Sequence, residues 1–381
     1  MNRTSFRKAL APSVAVLALS ISLTACGGGN SADDSTDTGS DSSAAPADGS
    51  DYSDLSGELA IGGASSQESA QNAWMVGFGD VAPGVTVSYD PVGSGGGREN
   101  FISGGYPMAG SDSYLTDDEG ELSAATETCG AEPIEIPNYV SPIAIIFNVE
   151  GVDELNLAPA TVAGIFAGTI TKWNDDAIVA DNPNASLPDA DITPVHRSDE
   201  SGTSENFTDY LDAVAGDVWT YGPIETWPSD LGGESGKGTS GVVQVVTDAP
   251  NTIGYADASQ AGGLSQANIG VGEEFVAPSP EAAAKILEVS PAVDESSDVN
   301  MAVDLDHETQ EAGVYPVVLT SYLLACQTYA DEATAANVKG YISYILSDEG
   351  QEIGSSEAGS APLSDAIREK ATAIVDTIAA G

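Results

Sequence analysis

Histidine is nearly missing from this chain, with 2 residues among 381. His196 and His307 make no His-Glu-x-x-His pattern and no Cys–His cluster, so the ligand set of a zinc hydrolase is not supplied. Cationic residues are also scarce: 11 Lys and Arg stand against 59 Asp and Glu, for a formal net charge of −48. A surface of that sign repels a phosphate backbone and excludes nucleic acid as a partner. Beyond the N-terminal leader, no stretch approaches the ~20 consecutive apolar residues of a membrane span. Cysteine occurs three times, at positions 26, 129 and 326. No internal repeat is apparent.

The N-terminus carries what the rest lacks. Arg3, Arg7 and Lys8 precede an apolar stretch from Ala9 to Leu23, and Leu23-Thr24-Ala25-Cys26 follows. A basic start, an apolar core and a small-residue cleavage site make an export signal over 1–25. The Leu-Thr-Ala-Cys ending is similar to a bacterial lipobox, so Cys26 is expected to carry lipid at the membrane; an N-terminal membrane anchor, or a signal whose cysteine has no role, is the alternative. Residues 26–56 are rich in Gly, Ser, Asp and Ala, with almost nothing to bury, and are expected to form a disordered acidic tether. With Cys26 lipidated outside the cytoplasm, Cys129 and Cys326 remain either as a disulfide pair or as two buried thiols.

Function concentrates in loops. The segment Val195-His196-Arg197-Ser198-Asp199-Glu200-Ser201-Gly202-Thr203-Ser204 lies between the apolar run ending at Val195 and a helical pattern of Phe207, Tyr210, Leu211 and Val214. An arginine, hydroxyls and a glycine at a strand-to-helix junction suit a tetrahedral oxyanion. Helix N-terminal amides and the helix dipole favour negative charge there, and a guanidinium offers a planar fork. This segment alone could equally be an N-cap cluster beside a surface arginine. Three further loops repeat the arrangement: Gly62-Gly63-Ala64-Ser65-Ser66, Gly93-Ser94-Gly95-Gly96-Gly97 and Gly110-Ser111-Asp112-Ser113, each after a short strand-like run. In open α/β sheets, ligands bind at the carboxyl ends of strands. The net negative charge does not forbid an anion, because it is screened over about 8–10 Å near physiological salt.

Two patterns point elsewhere and fail. Gly236-Lys237-Gly238-Thr239-Ser240-Gly241 fits G-x-G-x-x-G, but residues 225–235 do not read as a strand, so the dinucleotide context is missing and a loop opening the helix of Val242, Val243 and Val246 is expected. Ser201 with His196 lacks a third partner for a nucleophilic triad.

Ala-Gly-Ser-Asp at 109–112, Val-Gly-Ser-Gly-Gly at 92–96 and His-Arg-Ser-Asp-Glu-Ser-Gly-Thr-Ser at 196–204 resemble the signature loops of the PstS family, the phosphate-binding proteins of the high-affinity phosphate ABC transporter. So do Thr161 to Asp175, Asn251-Thr252-Ile253-Gly254-Tyr255, and Asp348-Glu349-Gly350-Gln351 with Pro362-Leu363, in the family's order from about residue 57 onward. The resemblance implies an α/β type II periplasmic-binding-protein fold with two hinged lobes. Lobe I would span 57–138 plus 318–381 and lobe II 139–317, with crossovers near Ile136-Pro137-Asn138-Tyr139 and Val314-Tyr315-Pro316-Val317. It implies a lipid-anchored, extracytoplasmic receptor without catalysis or cofactor, which hands inorganic phosphate to ABC permease subunits. A receptor for sulfate or molybdate, or a phosphate-binding surface sensor or adhesin, is the alternative. The implied anion contacts are Ser65, Ser66, Ser94 and Asp112 from lobe I, and Arg197, Ser201, Gly202 and Thr203 from lobe II. Arg197 would be braced by Asp199. Asp112 suits a protonated oxyanion, since a carboxylate accepts a ligand O–H and repels sulfate; a helix N-cap carboxylate is the alternative. One departure stands out: the family's first loop reads Ala-Thr-Phe-Pro, and here it is Ala64-Ser65-Ser66-Gln67.

Overall fold

The computed structural model describes residues 52–117, 120–293 and 297–381. The leader and residues 26–51, Cys26 among them, lie outside; residues 52–56, expected as the end of the tether, instead pack on the domain, with Tyr52 buried edge-on against Phe78 at 5.6 Å and Leu55 against the same core. The strands that shape the site are β1 (Gly57–Gly63), β2 (Val85–Asp90), β3 (Met108–Ser111), β4 (Ile134–Asn148), β5 (Asn156–Leu157), β6 (Thr193–Arg197), β7 (Glu234–Gly236), β8 (Thr252–Asp257), β9 (Ser265–Gln266), β10 (Asn268–Val271), β11 (Glu274–Val276) and β12 (Val318–Ala325). The large sheet runs β2-β1-β3-β12-β4-β8-β6-β7, with β9 beside β4. β5, β10 and β11 form a small separate sheet.

Each flank of the large sheet is built from parallel neighbours: β1 with β2 and β3, and β6 with β7 and β8. Parallel neighbours require crossover helices, and Glu68–Val81, Ser94–Ile102, Gly202–Ala215 and Gly238–Asp248 supply them. The antiparallel pair β4–β12 joins the flanks. β4 pairs with β12 up to Pro142 and with β8 from Ile143 onward, so one strand serves both halves. Its residues from Ile134 to Phe147 are all buried, as expected of a strand covered on both faces. Pro137 lacks an N–H for the ladder, and the register against β12 shifts at that point, between Ser321 and Tyr322. The strand therefore continues through 136–139, and the Ile143 amide bonds the Val317 carbonyl at 2.8 Å, which sets the two crossing segments side by side.

Trp74 anchors the first flank: it is fully buried and donates its Nε1–H to the Gly350 carbonyl at 2.7 Å. Cys129, at the end of helix Glu121–Cys129, is disulfide-bonded to Cys326, just past β12, with Cα atoms 5.2 Å apart. The bridge closes 197 residues of chain separation. One expectation is overturned. A strand does precede the Gly236 motif, because the three residues of β7 pair in parallel with β6 before helix Gly238–Asp248. Glycines and serines hide it from propensity, since the pairing partner rather than the side chains holds it in line. Among the described residues, no helix is long and apolar enough to cross a membrane.

Candidate anion-binding site

β6 ends at Arg197, and Ser201 caps the helix that follows. Ser201 is extended (φ −138°, ψ 115°), and its Oγ accepts the Ser204 amide at 3.1 Å. The Glu205 amide is the first to reach back along the helix, to the Ser201 carbonyl at 3.1 Å. The Gly202 and Thr203 amides therefore precede the first intrahelical acceptor and point out of the N-terminus. Arg197 is buried, and its Nε and Nη2 donate to the two oxygens of Asp199 at 2.8 and 2.6 Å. That fork fixes the guanidinium plane. Burial pushes the Asp199 carboxyl upward, but the Arg197 hydrogen bond and charge outweigh it and hold it below its ordinary range. Asp199 also accepts the Gly238 amide at 3.0 Å, which draws the motif loop after β7 into the site.

The other flank contributes three loop ends. Gly93 (φ 100°) turns the chain after β2 so that Ser94 opens a helix, and Ser94 Oγ accepts the Asp112 amide at 3.1 Å. Ser65 and Ser66 follow β1, and Asp112 follows β3. The Asp112 carboxylate is the hub. Oδ1 accepts from Ser321 Oγ at 2.5 Å and from Ser66 Oγ at 2.7 Å. Oδ2 accepts from Thr203 Oγ1 at 2.9 Å and shares the Ser66 hydroxyl at 2.8 Å. Burial raises the Asp112 carboxyl, and the hydroxyls of Ser321, Ser66 and Thr203 with the Arg197 charge oppose that rise.

Thr203 and Asp112 come from opposite halves of the sheet, so their bond places the two sets of loops face to face. Asn206 reinforces it by donating to the Asp112 carbonyl at 2.8 Å. Gly202 is pressed so closely that a Cβ there would meet Ser113 Oγ at 2.6 Å, and Asp112 Cβ and Ser94 Oγ at 2.8 Å. Ser66, Ser94, Asp112, Gly202 and Thr203 thus form one contiguous cluster. Arg197 and Asp199 border it at Gly93, where a Cβ would lie 2.8 Å from Asp199 Oδ2. The Ser65 hydroxyl instead faces Thr239, sharing a bond with Oγ1 at 3.1 Å and accepting its amide at 3.0 Å. The Ser201 hydroxyl is committed to its cap. His196 turns away from it, with Nδ1 on the Arg197 carbonyl at 2.8 Å and its ring stacked on Trp227 at 4.8 Å. A cavity of about 190 Å³ opens beside Asp112 and Ser113, but Glu205, Asp209 and Asp304 wall it, so its chemistry suits an anion less than the neighbouring loop cluster does.

Residues 37–349 match the PBP superfamily domain. The chain is 35% identical over 362 residues to the phosphate-binding protein PstS2 of Mycobacterium bovis BCG, covering 93% of this chain and 95% of that protein. The chain belongs to the PstS family. It is also 32% identical over 325 residues to the phosphate-binding protein PstS 3 of Mycobacterium leprae, covering 84% and 87% of the two chains. Among solved structures, the high-affinity periplasmic phosphate-binding protein PfluDING, bound with phosphate, superposes with a TM-score of 0.69 at 21% identity over 83% of this chain and 93% of that one. A phosphate-binding protein from Stenotrophomonas maltophilia gives 0.63 at 19% identity, covering 84% and 94%. The two-lobed periplasmic-binding-protein architecture follows from these likenesses.

As a PstS chain, this one departs at its first loop, and the structure shows what fills the change. Ser66 places its hydroxyl on Asp112. Gln67 is buried, donates to Ser321 Oγ at 2.7 Å and accepts from Gln71 at the same distance. Four residues in or beside the site escape a reading of loops. Ser321 sits mid-strand in β12, with nothing in its sequence neighbourhood to mark it. Thr239 lies in the motif set aside for lack of a strand. Gln260 donates to the Ser65 and Ser66 carbonyls at 2.7 and 3.1 Å from a turn after β8. Arg98 follows the glycines of the second loop, and its basic charge was a signal available in so acidic a chain.

Proposed function

We propose that this chain binds inorganic phosphate between two hinged lobes and delivers it to the permease of an ABC transporter. The PstS relatives and the phosphate-bound neighbour support the ligand. The chain's own residues support the manner of binding, and Asp112 carries that argument. A carboxylate offers about four lone-pair positions. Three hydroxyls now cover them, two contacts on each oxygen, with Ser66 shared between both. A hydroxyl that turns to the anion leaves its position to a ligand O–H. Phosphate keeps a proton near neutral pH and can fill it, whereas sulfate brings only lone pairs against a carboxylate. A site arranged to pair a ligand hydroxyl rejects an analogue lacking it by about 10⁴–10⁵.

The remaining contacts are donors. Arg197, held flat by Asp199, takes one face of the anion. The amides of Gly202 and Thr203 and the N-terminal amides behind Ser94 take the rest, with Ser65, Ser66 and Ser201 at the margins. The lobes divide as 57–138 plus 318–381 and 139–317, and they close about the paired segments where β4 changes partner; hinge closure of this kind completes a ligand's hydrogen bonds from both sides. Cys26 carries lipid that holds the receptor outside the cytoplasm, and the acidic tether sets its reach. The protein breaks no bond in its ligand.

Isothermal titration of the domain lacking its leader and tether, with phosphate and then with sulfate, tests the reading. Tight phosphate binding with sulfate failing to compete in large excess is expected. Equal affinity for the two, or heat with sulfate or molybdate alone, overturns it. For the anchor, a Cys26→Ser protein that still fractionates with membranes at wild-type mass refutes lipidation.

A further inference from the structure

Arg98 lies in helix Ser94–Ile102, on the β1 side of the sheet, and is buried. Its Nη1 and Nη2 donate to Glu225 Oε1 and Oε2 at 2.8 and 2.6 Å, a complete fork. Its Nε donates to Glu121 at 2.8 Å. Glu225 comes from the opposite side, in the segment after helix Gly202–Ala215, and also accepts the Ser113 hydroxyl at 2.5 Å. The most extensive ion pair of the cleft therefore spans the two halves of the sheet and uses none of the groups assigned to the anion. Burial opposes charge on Arg98, yet the Glu225 hydrogen bond and charge, with the Glu121 charge, more than restore it. Glu225 answers in kind: burial raises its carboxyl, and Arg98 outweighs burial to bring it below its ordinary range.

The geometry points to a closure latch: Arg98 and Glu225 are positioning residues that pair when the lobes meet and set how long phosphate stays, not how fast it enters. The inference rests on the phosphate-binding reading above. Entry takes place into a parted cleft, where both side chains are hydrated and neither meets the ligand. Exit requires the fork to break first. Loss of one partner of a buried, hydrogen-bonded charge pair acts on the dissociation rate and leaves the other charge stranded. Loss of a residue that merely shapes the site would alter entry and exit together. Ser113 belongs to the latch as a second donor to Glu225.

Stopped-flow phosphate association and dissociation, with the protein lacking only its leader, tests the latch in Glu225→Gln, which keeps shape and removes charge. Dissociation at least about tenfold faster, with association within about twofold of wild type, is the expected result. Ser113→Ala, a milder change that leaves the buried pair intact, should move dissociation in the same direction by less. Melting of the ligand-free protein establishes that each variant is folded. A wild-type protein that binds no phosphate defeats the functional reading itself. A wild type that binds while both variants release phosphate at the wild-type rate defeats the latch alone. Slowed association with unchanged dissociation also defeats it.

Discussion

Arg197 and Arg98 are both buried at the cleft, yet Arg197 finds its carboxylate two residues along the same loop, and Arg98 finds Glu225 127 residues away on the other half of the sheet. The difference separates two tasks. A pair made within one loop is present whatever the lobes do, so Arg197–Asp199 can prepare a flat, oriented donor before any ligand arrives. Under the proposed closure, a pair made between halves depends on their approach and can only report or hold that approach. Asp112 sits between these cases. Its donors Ser66 and Ser321 share its half of the sheet, and Thr203 does not.

Four measurements would break or sharpen this division. The disulfide is a long-range link that cannot let go, tying helix Glu121–Cys129 to the end of β12. Replacing Cys129 and Cys326 together by Ser should lower stability by about 2–5 kcal/mol in denaturant melts. Phosphate affinity of the folded fraction should hold, because both cysteines lie on one flank; a collapse of affinity would show that the bridge reaches into closure.

Glu135 is a carboxylate held at long range without a cation of its own. It accepts the Leu115 amide at 2.9 Å and the Asn300 amide group at 2.8 Å, and burial pushes its carboxyl from an ordinary 4.5 up to about 8 against those donors and the Arg98 charge. The folded state keeps this proton where the unfolded chain releases it. Its contribution to stability is therefore greatest below about pH 4.5 and falls as pH rises from 5 to 8, by up to about 1.4 kcal/mol per pH unit. Glu135→Gln should flatten that stretch of the stability–pH curve. An identical curve would show that the group ionises within the fold.

Arg197→Ala should weaken phosphate binding by about 1.5–3 kcal/mol, with circular dichroism unchanged. The deficit should appear in calorimetry as lost affinity, and an unaltered dissociation constant would remove Arg197 from the anion shell. Asp112→Asn should raise the sulfate-to-phosphate affinity ratio by about 1 kcal/mol or more, because the amide donates where the carboxylate repelled. A ratio equal to that of wild type would leave Asp112 as a structural hub for three hydroxyls.

The same division explains what could be read from residues alone. Arg197, Asp199, Ser201, Gly202 and Thr203 occupy one strand–loop–helix junction, so their geometry follows from local chain direction and helix-end chemistry. The short strand-like runs before the four loops were legible for the same local reason and are β1, β2, β3 and β6. β7 was not, because pairing with β6 rather than side-chain propensity makes it a strand. Ser321, Glu225 and Gln260 reach the site through sheet order and long-range folding, which no window of sequence contains. Gln67 was visible only as a departure, and its buried bonds to Ser321 and Gln71 supply the reason.

Gly202 has a consequence for how this chain can change over generations. The space beside its Cα is narrower than a methyl group, with Ser113, Asp112 and Ser94 on three sides. If the lobes close as proposed, alanine there would act as a doorstop, propping the cleft ajar while leaving every hydrogen-bonding residue in place. The seat is therefore a gauge of fit as well as of charge, and a chain that drifts at this one position could keep all its chemistry and still be unable to shut.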